Sequence, residues 1–503
     1  MSYYGHEGFG LRSGLQFLTL PYNLSYCLAA QSRFLLYRRK SLWREDKQVA
    51  GIKIKLQFPE HTIIIPMTIS YLFRALKSVF SDWKLLRMLL WQKLYVQAYL
   101  PLVISKRQAR FVAKLRKKDH VNVVFLPMNV AMWKYQHLYE LLKNDSLFRV
   151  HIFLTPFADF VNSQRIEDVQ AMRAYFDERK IDYVDCEPEK DKPLVDIRSV
   201  VDPDIIFYTQ PYATAFEENR KFTHFLDKLL CYVPYAYHPR TVTAFYKWPL
   251  HRIAWKLYYP TEYNKLYAMT VCKNKARNVV VSGYPGADDY LLPSSNDVWK
   301  MKDRHKKRVI WAPHFTVTED VGFVHTSYFL EMASFMQELA LEYANRITIA
   351  FKPHPRLFSQ LCVHPAWGEE KAKEYYDFWE NNENTQLETG EFVDLFKGSD
   401  AMIHDCGSFI VDYMYFGKPV LYDNPNIKEV KATADELGKQ AYDAHYSVRN
   451  LSDIKAFIDD VVLGGNDTMA PVRKDFFDAY LRPKDGKTAS QFIYDDIVKS
   501  IWG

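Results

Sequence analysis

The chain has 503 residues, of which 48% are hydrophobic and 25% are charged, and its formal net charge is +6. These values exclude a disordered or fibrous chain and predict two or three globular domains with large buried cores. A net charge this small for the length argues neither for nor against nucleic-acid binding.

The cysteines and the N-terminus favour a reducing compartment. No CxxC spacing occurs, so neither a zinc site nor a disulfide framework is expected. Glu7 precedes every lysine and arginine and no short apolar core follows it, which argues against a secretory signal. No apolar run reaches membrane-spanning length, so the protein is expected to be soluble or peripheral on a membrane. The six cysteines are Cys27, Cys186, Cys231, Cys272, Cys362 and Cys406.

Residues 1–120 form a basic and aromatic region that is predicted to be helical. From Tyr71 to Lys118 apolar residues recur at helical spacing among lysines and arginines. Such a helix is typical of one that lies in the headgroups of an anionic bilayer. A helix packed on the next domain with a solvated basic face is an equal alternative, and nucleic-acid binding is a weaker one. The basic cluster at its end comprises Lys106, Arg107, Arg110, Lys114, Arg116, Lys117 and Lys118.

Residues 121–270 are predicted to be a first Rossmann-like domain, on the acceptor side. Short apolar runs alternate with a helical pattern, which indicates βαβ units. The first strand lacks a GxGxxG turn, so a nicotinamide-type fingerprint is missing. The passage from Phe222 to Tyr267 is aromatic and favours helices. Strands are predicted at Val121–Pro127, Phe148–Leu154, Ile181–Val184 and Asp204–Tyr208, and a helix at Trp133–Lys143.

A second α/β series begins near Asn278 and predicts a nucleotide-donor domain over residues 271–465. Helices over 466–503, with Gln491–Trp502 as the last, are expected to cross back onto the first domain. The fold class is therefore α/β, with two doubly wound domains facing a cleft in the GT-B-like arrangement. The strands are Val279–Pro285, Arg308–His314, Ile347–Phe351, a run ending at His404, and Lys418–Tyr422, with helices at Ser327–Tyr343 and Glu369–Glu380.

Two strands of this second series end in polar residues. Lys352, His354 and Arg356 follow one, and the glycine-containing turn His404–Ser408 follows the other. Ligands of open α/β sheets bind at the carboxyl ends of the strands, where cations and backbone N–H groups hold phosphate. The two strand ends together predict a site for a doubly charged nucleotide ligand.

The second half of the chain resembles the CDP-glycerol glycerophosphotransferases, which build poly(glycerol phosphate) in teichoic acids and some capsules. The resemblance covers about Asn278 to Tyr422 and leaves the first 120 residues out. It depends on motifs in order: Gly283-Tyr284-Pro285, Trp311-Ala312-Pro313, Phe351-Lys352-Pro353-His354-Pro355, Ser399-Asp400, His404-Asp405-Cys406-Gly407-Ser408, Asp412-Tyr413 and Lys418-Pro419-Val420.

Two motifs depart from the family pattern. The family usually has Thr-Asp-Tyr-Ser-Ser where this chain has His404 to Ser408, so one hydroxyl of the expected phosphate cradle is lost. The family's Trp-His-Gly motif, which supplies a catalytic histidine, is not found. The nearest regional candidates are His224 and His238.

The resemblance and the strand ends together give the expected site. A histidine would accept the proton of the attacking hydroxyl, because imidazole titrates near neutral pH. His404 is an equally good candidate for a hydrogen-bonded core histidine, and Asp405 and Ser408 for helix caps. No metal ligands are expected. Catalytic candidates are His404, His238 and His354, and substrate-binding candidates are Lys352, Arg356, Asp405, Gly407, Ser408, His314, Gly283 and Asp412.

The function expected from the resemblance is transfer of glycerol phosphate from CDP-glycerol, or a related CDP-polyol, to a hydroxyl of a cell-surface polymer, with release of CMP. The alternatives are a GT-B glycosyltransferase with a nucleotide-sugar donor and a non-catalytic membrane-associated scaffold. No cofactor beyond the donor substrate is expected. The expected partners are the donor, a polymer or lipid-linked acceptor and the anionic inner face of the cell membrane, without nucleic acid.

Overall fold

The computed structural model describes residues 99–158, 162–186, 195–237, 243–293, 296–317, 327–390 and 392–503, and three strands before residue 99. The chain forms two compact units, Met1–Tyr99 and Leu100–Gly503. None of the helices in these ranges has both the length and the apolar character needed to cross a membrane.

The N-terminal unit contains a small sheet that the sequence analysis did not predict. Strand β1 (Phe17–Thr19) runs parallel to β2 (Gly51–Gln57), which pairs antiparallel with β3 (Thr62–Thr68). The sequence of β3 is rich in β-branched residues, and that of β2 alternates apolar with polar residues; both patterns favour strands. Most of the helix predicted from Tyr71 lies outside the described residues, and its last part is the helix Leu100–Leu115.

The first sheet of the larger unit has seven parallel strands. Their order is β10-β9-β8-β7-β4-β5-β6, so the chain winds outward in both directions from β4 and β7. Every residue of β7 and β8 is buried, which explains their continuous apolar sequences. The strands are β4 (Val121–Leu126), β5 (Phe148–Leu154), β6 (Val184–Asp185), β7 (Ile205–Tyr208), β8 (Leu229–Tyr232), β9 (Lys256–Tyr259) and β10 (Val279–Val281).

Two predictions for this region were wrong. The passage from Phe222 to Tyr267 contains strands β8 and β9 between short helices. Strand β10 pairs with β9, so the first sheet extends past residue 270. Aromatic residues suit strands and helices alike, and the hydrogen bonds that β10 makes across the sheet have no signature in its own sequence.

The second sheet has six parallel strands in the order β13-β12-β11-β14-β15-β16. The chain reverses its direction of winding between β11 and β14, which makes the gap beyond their carboxyl ends the expected ligand crevice. The two doubly wound sheets confirm the predicted α/β, GT-B-like fold. The strands are β11 (Lys307–Ala312), β12 (Ile347–Phe351), β13 (Thr385–Leu387), β14 (Ala401–His404), β15 (Val420–Tyr422) and β16 (Tyr446–Ser447).

Helices cover both sheets. Around the first are Gln136–Lys143, Asn162–Glu178, Ile197–Val200, Thr243–Tyr246, Leu250–Ile253 and Glu262–Val271. Around the second are Asp288–Leu291, Phe329–Glu342, Leu357–Val363, Gly368–Asn381, Val393–Gly398, Phe409–Asp412, Ile427–Thr433, Glu436–Asp443, Leu451–Ala456 and Ala470–Phe476. Two π-helical segments continue the last two, Phe457–Leu463 and Phe477–Leu481.

The C-terminal helix, Ala489–Trp502, packs on the first sheet. Its residues Ile493, Ile497 and Ile501 lie in the same buried cluster as Val121 and Phe125. Its first turn receives a cap from the segment between the two sheets. The carboxylate of Asp288 accepts hydrogen bonds from the backbone N–H groups of Ala489 and Ser490, at 2.8 and 2.9 Å. The end of the chain therefore ties the two sheets together.

Candidate active site

The polar residues that follow β11, β12 and β14 lie together at the switch point of the second sheet, which is the place where the chain reverses its direction of winding. His314 follows β11, Lys352 to Arg356 follow β12, and Asp405 to Ser408 follow β14. The three strands are direct neighbours in the sheet. The structure therefore brings together most of the residues that the sequence analysis selected, at the edge where such sheets bind ligands.

Asp405 holds the loops of this edge in place. Its Oδ1 accepts a hydrogen bond from the backbone N–H of His314 at 2.6 Å. Its Oδ2 accepts hydrogen bonds from the hydroxyl of Ser327 at 2.6 Å and from the backbone N–H of Tyr328 at 2.8 Å. The side chain is only 1% exposed. Asp405 is thus a positioning residue whose carboxylate is occupied by protein donors, a different role from the substrate contact expected.

His354 is a neutral hydrogen-bond donor in this site. Its Nδ1 accepts a hydrogen bond from the backbone N–H of Arg356 at 3.2 Å, which leaves the ring proton on Nε2. Burial lowers the pKa of His354 to about 3, and the neighbouring His314 and Arg356 act in the same direction. At neutral pH the ring therefore offers a polar N–H and no charge. Nor can its Nε2 accept a proton in this state, so the ring is suited to bind an anion.

Two cations lie next to this imidazole. Lys352 is 6% exposed and donates a hydrogen bond to the carbonyl oxygen of Gly390 at 2.7 Å. Burial lowers the pKa of Lys352 from its usual value, and Glu388 acts in the opposite direction. Arg356 is exposed, and its guanidinium lies 4.3 Å from the ring centroid of Phe315. One buried and one exposed cation thus follow the same strand.

His314, Phe315 and His354 form an aromatic cluster at the mouth of the site. The His314 and His354 rings are 5.0 Å apart, and the Phe315 ring is 4.4 Å from each of them. The Nδ1 of His314 is 3.0 Å from the hydroxyl of Thr316. The cluster fixes the ring of His354 and the guanidinium of Arg356 by packing, which reduces the ordering that ligand binding would require.

The turn after β14 is open, and the helix that follows it is short. Gly407 is half-buried with free space where a Cβ would stand, and Ser408 is exposed. The hydroxyl of Ser408 lies 3.0 Å from the sulfur of Cys406 and makes no capping hydrogen bond. The helix that follows, Phe409–Asp412, has a single turn and continues as a 3-10 segment. An anion would therefore bind to the turn itself, because the helix is too short to have a strong dipole.

His404 has a structural environment. It has no exposed surface. Its Nδ1 lies 3.1 Å from the carbonyl oxygen of Cys406, and its Nε2 lies 3.1 Å from Nε2 of His445. Because both ring nitrogens face protein atoms beneath the turn, His404 does not present a base to solvent, and the core alternative describes it better than the catalytic one.

The remaining candidates lie elsewhere. Gly283 has a φ of +82°, and a Cβ there would stand 3.3 Å from that of Ala489, so this glycine permits the close approach of the C-terminal helix. The structure thus gives Gly283 a backbone role in place of the substrate-binding role that was expected. His238 lies outside the described residues. The chain is described up to Tyr237, whose hydroxyl is 2.6 Å from that of Tyr415 in the second domain.

Asp412 lies among tyrosines. Its Oδ1 is buried without a hydrogen-bond partner among the described residues. Against the effect of burial, the charge of Lys134 in the first domain and a hydrogen bond with Tyr290 each lower its pKa. Burial raises the pKa of Asp412 from 3.8 to about 7. In the unfolded chain this carboxyl titrates near its ordinary value. The folded protein therefore holds an extra proton between about pH 4 and 7, and stability falls as the pH rises through that window.

We expect Asp412→Asn to abolish this pH dependence, because the amide keeps the shape of the protonated acid and does not ionise. At pH 8 the variant should be more stable than the wild type by about 2–4 kcal/mol, and at pH 4 the two should be similar. Thermal unfolding of both proteins at the two pH values measures the difference. A stability gap that does not change with pH would contradict the assignment.

Several residues of the site were missed by the sequence analysis. Ser327 and Tyr328 donate to Asp405, and His445 contacts His404, but these partners lie far away in sequence and carry no local signal. Asp423 is different, because it directly follows β15 as Asp405 follows β14. It is buried, its Oδ2 accepts a hydrogen bond from Nε1 of Trp311 at 3.3 Å, and burial beside Asp405 raises its pKa well above the ordinary value. The strand-end rule could have found it.

The chain is similar to known proteins in sequence and in fold. A family model described as CDP-glycerol:poly(glycerophosphate) glycerophosphotransferase matches residues 254–499, which include every residue of the switch-point site. A comparison with curated proteins finds no match. In the described ranges no three side chains of the types that bind metal ions cluster together.

Solved structures share the fold at low sequence identity. A variant of the wall teichoic acid polymerase TagF is 14% identical with a TM-score of 0.51, covering 79% of this chain and 95% of that chain. A UDP-N-acetylglucosamine 2-epimerase is 15% identical with a TM-score of 0.50, covering 76% of this chain and 96% of that chain. Both likenesses show the GT-B-like fold alone. The family model adds that residues 254–499 match the CDP-glycerol:poly(glycerophosphate) glycerophosphotransferase family, and the protein is a glycerophosphotransferase-like enzyme.

Proposed function

We propose that the protein transfers glycerol phosphate from CDP-glycerol to a hydroxyl group of a growing cell-surface polymer, a teichoic acid or a capsule. The observation that carries the proposal is the group at the switch point: the ammonium of Lys352, the guanidinium of Arg356 and the neutral N–H of His354. This is a set of donors suited to a diphosphate. It lies within the segment that matches the family model.

The proposed reaction is a displacement at the distal phosphorus of the donor. The acceptor oxygen forms a bond to that phosphorus, the bond to the bridging oxygen breaks, and CMP leaves with the electron pair. The hydroxyl proton passes to a base, for which His238 is the proposed residue from the family resemblance. Negative charge moves onto the CMP phosphate as the bond breaks, so donors already fixed at the diphosphate lower the barrier. No cofactor is proposed.

A donor assay tests the function. Purified full-length protein is incubated with CDP-glycerol, another CDP-polyol or a UDP-sugar, together with a glycerol-phosphate oligomer as acceptor, and CMP and UDP are measured. We expect CMP from CDP-glycerol and a longer oligomer by mass spectrometry. Release of UDP alone would indicate a glycosyltransferase, and absence of turnover with every donor would favour a scaffold.

We further propose that the enzyme works on the inner face of the cell membrane with a lipid-linked or polymeric acceptor. The helix Leu100–Leu115 supports this, because Lys106, Arg107, Arg110 and Lys114 on it are exposed and Leu102 is 80% exposed. Exposed cations beside apolar side chains favour anionic headgroups.

Reversing two of these charges, Arg110→Glu with Lys114→Glu, should weaken binding to phosphatidylserine-rich vesicles about tenfold or more, because each basic residue near the surface contributes about 1 kcal/mol. Vesicle co-sedimentation measures the effect. Lys428→Glu with Lys439→Glu changes two exposed lysines of the second domain and should leave binding nearly unchanged. Equal loss in both double variants would mean that the helix is not the contact.

A further inference from the structure

A pair of buried histidines lies directly beneath the turn Asp405 to Ser408 that follows β14. This turn is called the donor turn because the diphosphate of the proposed donor would bind there. His404 is the last residue of β14, and His445 follows the helix Glu436–Asp443. The two residues are 0% and 4% exposed, and their ring centroids are 5.2 Å apart. The pair makes three close polar contacts: Nδ1 of His404 to the Cys406 carbonyl at 3.1 Å, Nε2 to Nε2 at 3.1 Å, and Nδ1 of His445 to the Ala441 carbonyl at 2.7 Å.

These contacts require one more proton than two neutral imidazoles carry. A carbonyl oxygen only accepts, so each Nδ1 needs a proton to make a hydrogen bond. The contact between the two Nε2 atoms needs a third proton, because two bare lone pairs would repel each other. Two neutral rings hold two protons. With a third proton all contacts are made and the pair carries one positive charge.

The surroundings disfavour that charge in the free protein. Burial lowers the pKa of His404 well below its ordinary value and that of His445 to about 4. The guanidinium of Arg473 acts on His445 in the same direction, and it also pairs with Asp467. From β15 the ring of Tyr422 faces His404 at 5.9 Å. The free protein thus holds the pair neutral, with one contact lacking its proton.

Adding the third proton would change the hydrogen bonding of the donor turn. The Cys406 carbonyl that faces His404 belongs to the same peptide group as the N–H of Gly407. In a trans peptide these two groups point in opposite directions, so this N–H points away from His404. With the third proton the His404 ring carries part of a positive charge and donates a stronger hydrogen bond from Nδ1 to this carbonyl, which polarises the peptide and strengthens its N–H as a donor to an anion.

We propose that the His404–His445 pair takes up one proton when the diphosphate of the donor binds at the turn, and thereby strengthens the Gly407 N–H that holds it. The pair is a positioning device that touches no substrate. The inference rests on the proposed function, since it needs a dianion at the turn to stabilise the added positive charge.

The proposal fixes the direction in which the affinity for CDP-glycerol changes with pH. Donor binding raises the affinity of the pair for a proton, so the proton is taken up between the pair's pKa in the free protein and its higher pKa in the complex. Within that window the affinity for CDP-glycerol should fall as pH rises, by up to about tenfold per pH unit. Above the window both states are neutral and the dependence ends.

Titration calorimetry with CDP-glycerol tests the proposal on the full-length protein. Repeating the titration at one pH in buffers of different ionisation enthalpy gives the number of protons taken up, which should be about one. This donor is a diphosphate diester and does not itself titrate near neutral pH. His445→Gln should remove the uptake, because the amide holds a hydrogen bond without changing protonation. His404→Thr, which removes the other imidazole, should do the same.

The exposed His305 of the same domain supplies the control, since His305→Gln removes one imidazole away from the turn and should keep the full uptake. Binding without proton uptake in the wild type would overturn the inference and leave the proposed function intact. Uptake that persists in both His445→Gln and His404→Thr would also overturn it. Absence of any CDP-glycerol binding would overturn the proposed function, and the inference with it.

Discussion

Replacing His354 by alanine is expected to reduce kcat/KM for CDP-glycerol by about 100- to 1000-fold, the usual effect of removing one preorganised donor from an anionic transition state. The neutral ring presents its Nε2–H beside Lys352 and Arg356, where charge would develop as CMP departs in the proposed reaction. The loss should fall mainly on kcat, because a hydrogen bond to the diphosphate strengthens as its charge increases.

A conservative variant distinguishes this role from that of a base. Glutamine places an amide N–H near the position of Nε2, so His354→Gln should keep much more activity than His354→Ala. If His354 were the base, both variants would be equally inactive.

The chain offers a matched control for these variants. His364 has the same local arrangement as His354, with a proline after it and with Nδ1 accepting a hydrogen bond from the backbone N–H two residues later, at 3.2 Å. It lies after the helix Leu357–Val363, away from the strand ends. His364→Ala should therefore retain wild-type turnover. Full activity in His354→Ala would remove this imidazole from the site.

Replacing Asp405 by alanine is expected to lower the free energy of unfolding of the second domain by at least about 4 kcal/mol and to abolish turnover. Hydrogen bonds to a charged group contribute about 1.5–3 kcal/mol each, and of the partners left behind Ser327 is buried while His314 and Tyr328 are half-buried. The substitution leaves the N–H groups of His314 and Tyr328 and the hydroxyl of Ser327 without their acceptor. The loop that carries His314 would then lose its position.

Asp400 is the control at the other end of the same strand. Its Oδ2 accepts a hydrogen bond from the backbone N–H of Arg308 at 2.8 Å, but its side chain is 38% exposed. Asp400→Ala should cost about 1 kcal/mol, because water can replace the lost contact. Calorimetric unfolding of the two variants gives the comparison. Equal small losses would mean that Asp405 does not hold the loops together.

Much of the second domain was predictable because its signals are local. Strand Ile347–Phe351 has the predicted bounds, and its sequence is continuously apolar because both faces of the sheet are covered. The polar residues at the strand ends were found by the same reasoning. The first domain was harder, since β8 and β9 are short and aromatic, and such runs fit strands and helices alike.

The amino-acid sequence by itself determined the alternation of strands and helices, the cations after β12, the glycine-containing turn after β14 and the family motifs. Each of these depends on neighbouring residues. Tertiary structure alone decided that β11 lies beside β14, that Asp405 is occupied by three protein donors, and that His404 is paired with His445. It also decided that His354 is neutral, because protonation depends on burial and on charges brought close by the fold, and neither is written in the residues next to a histidine.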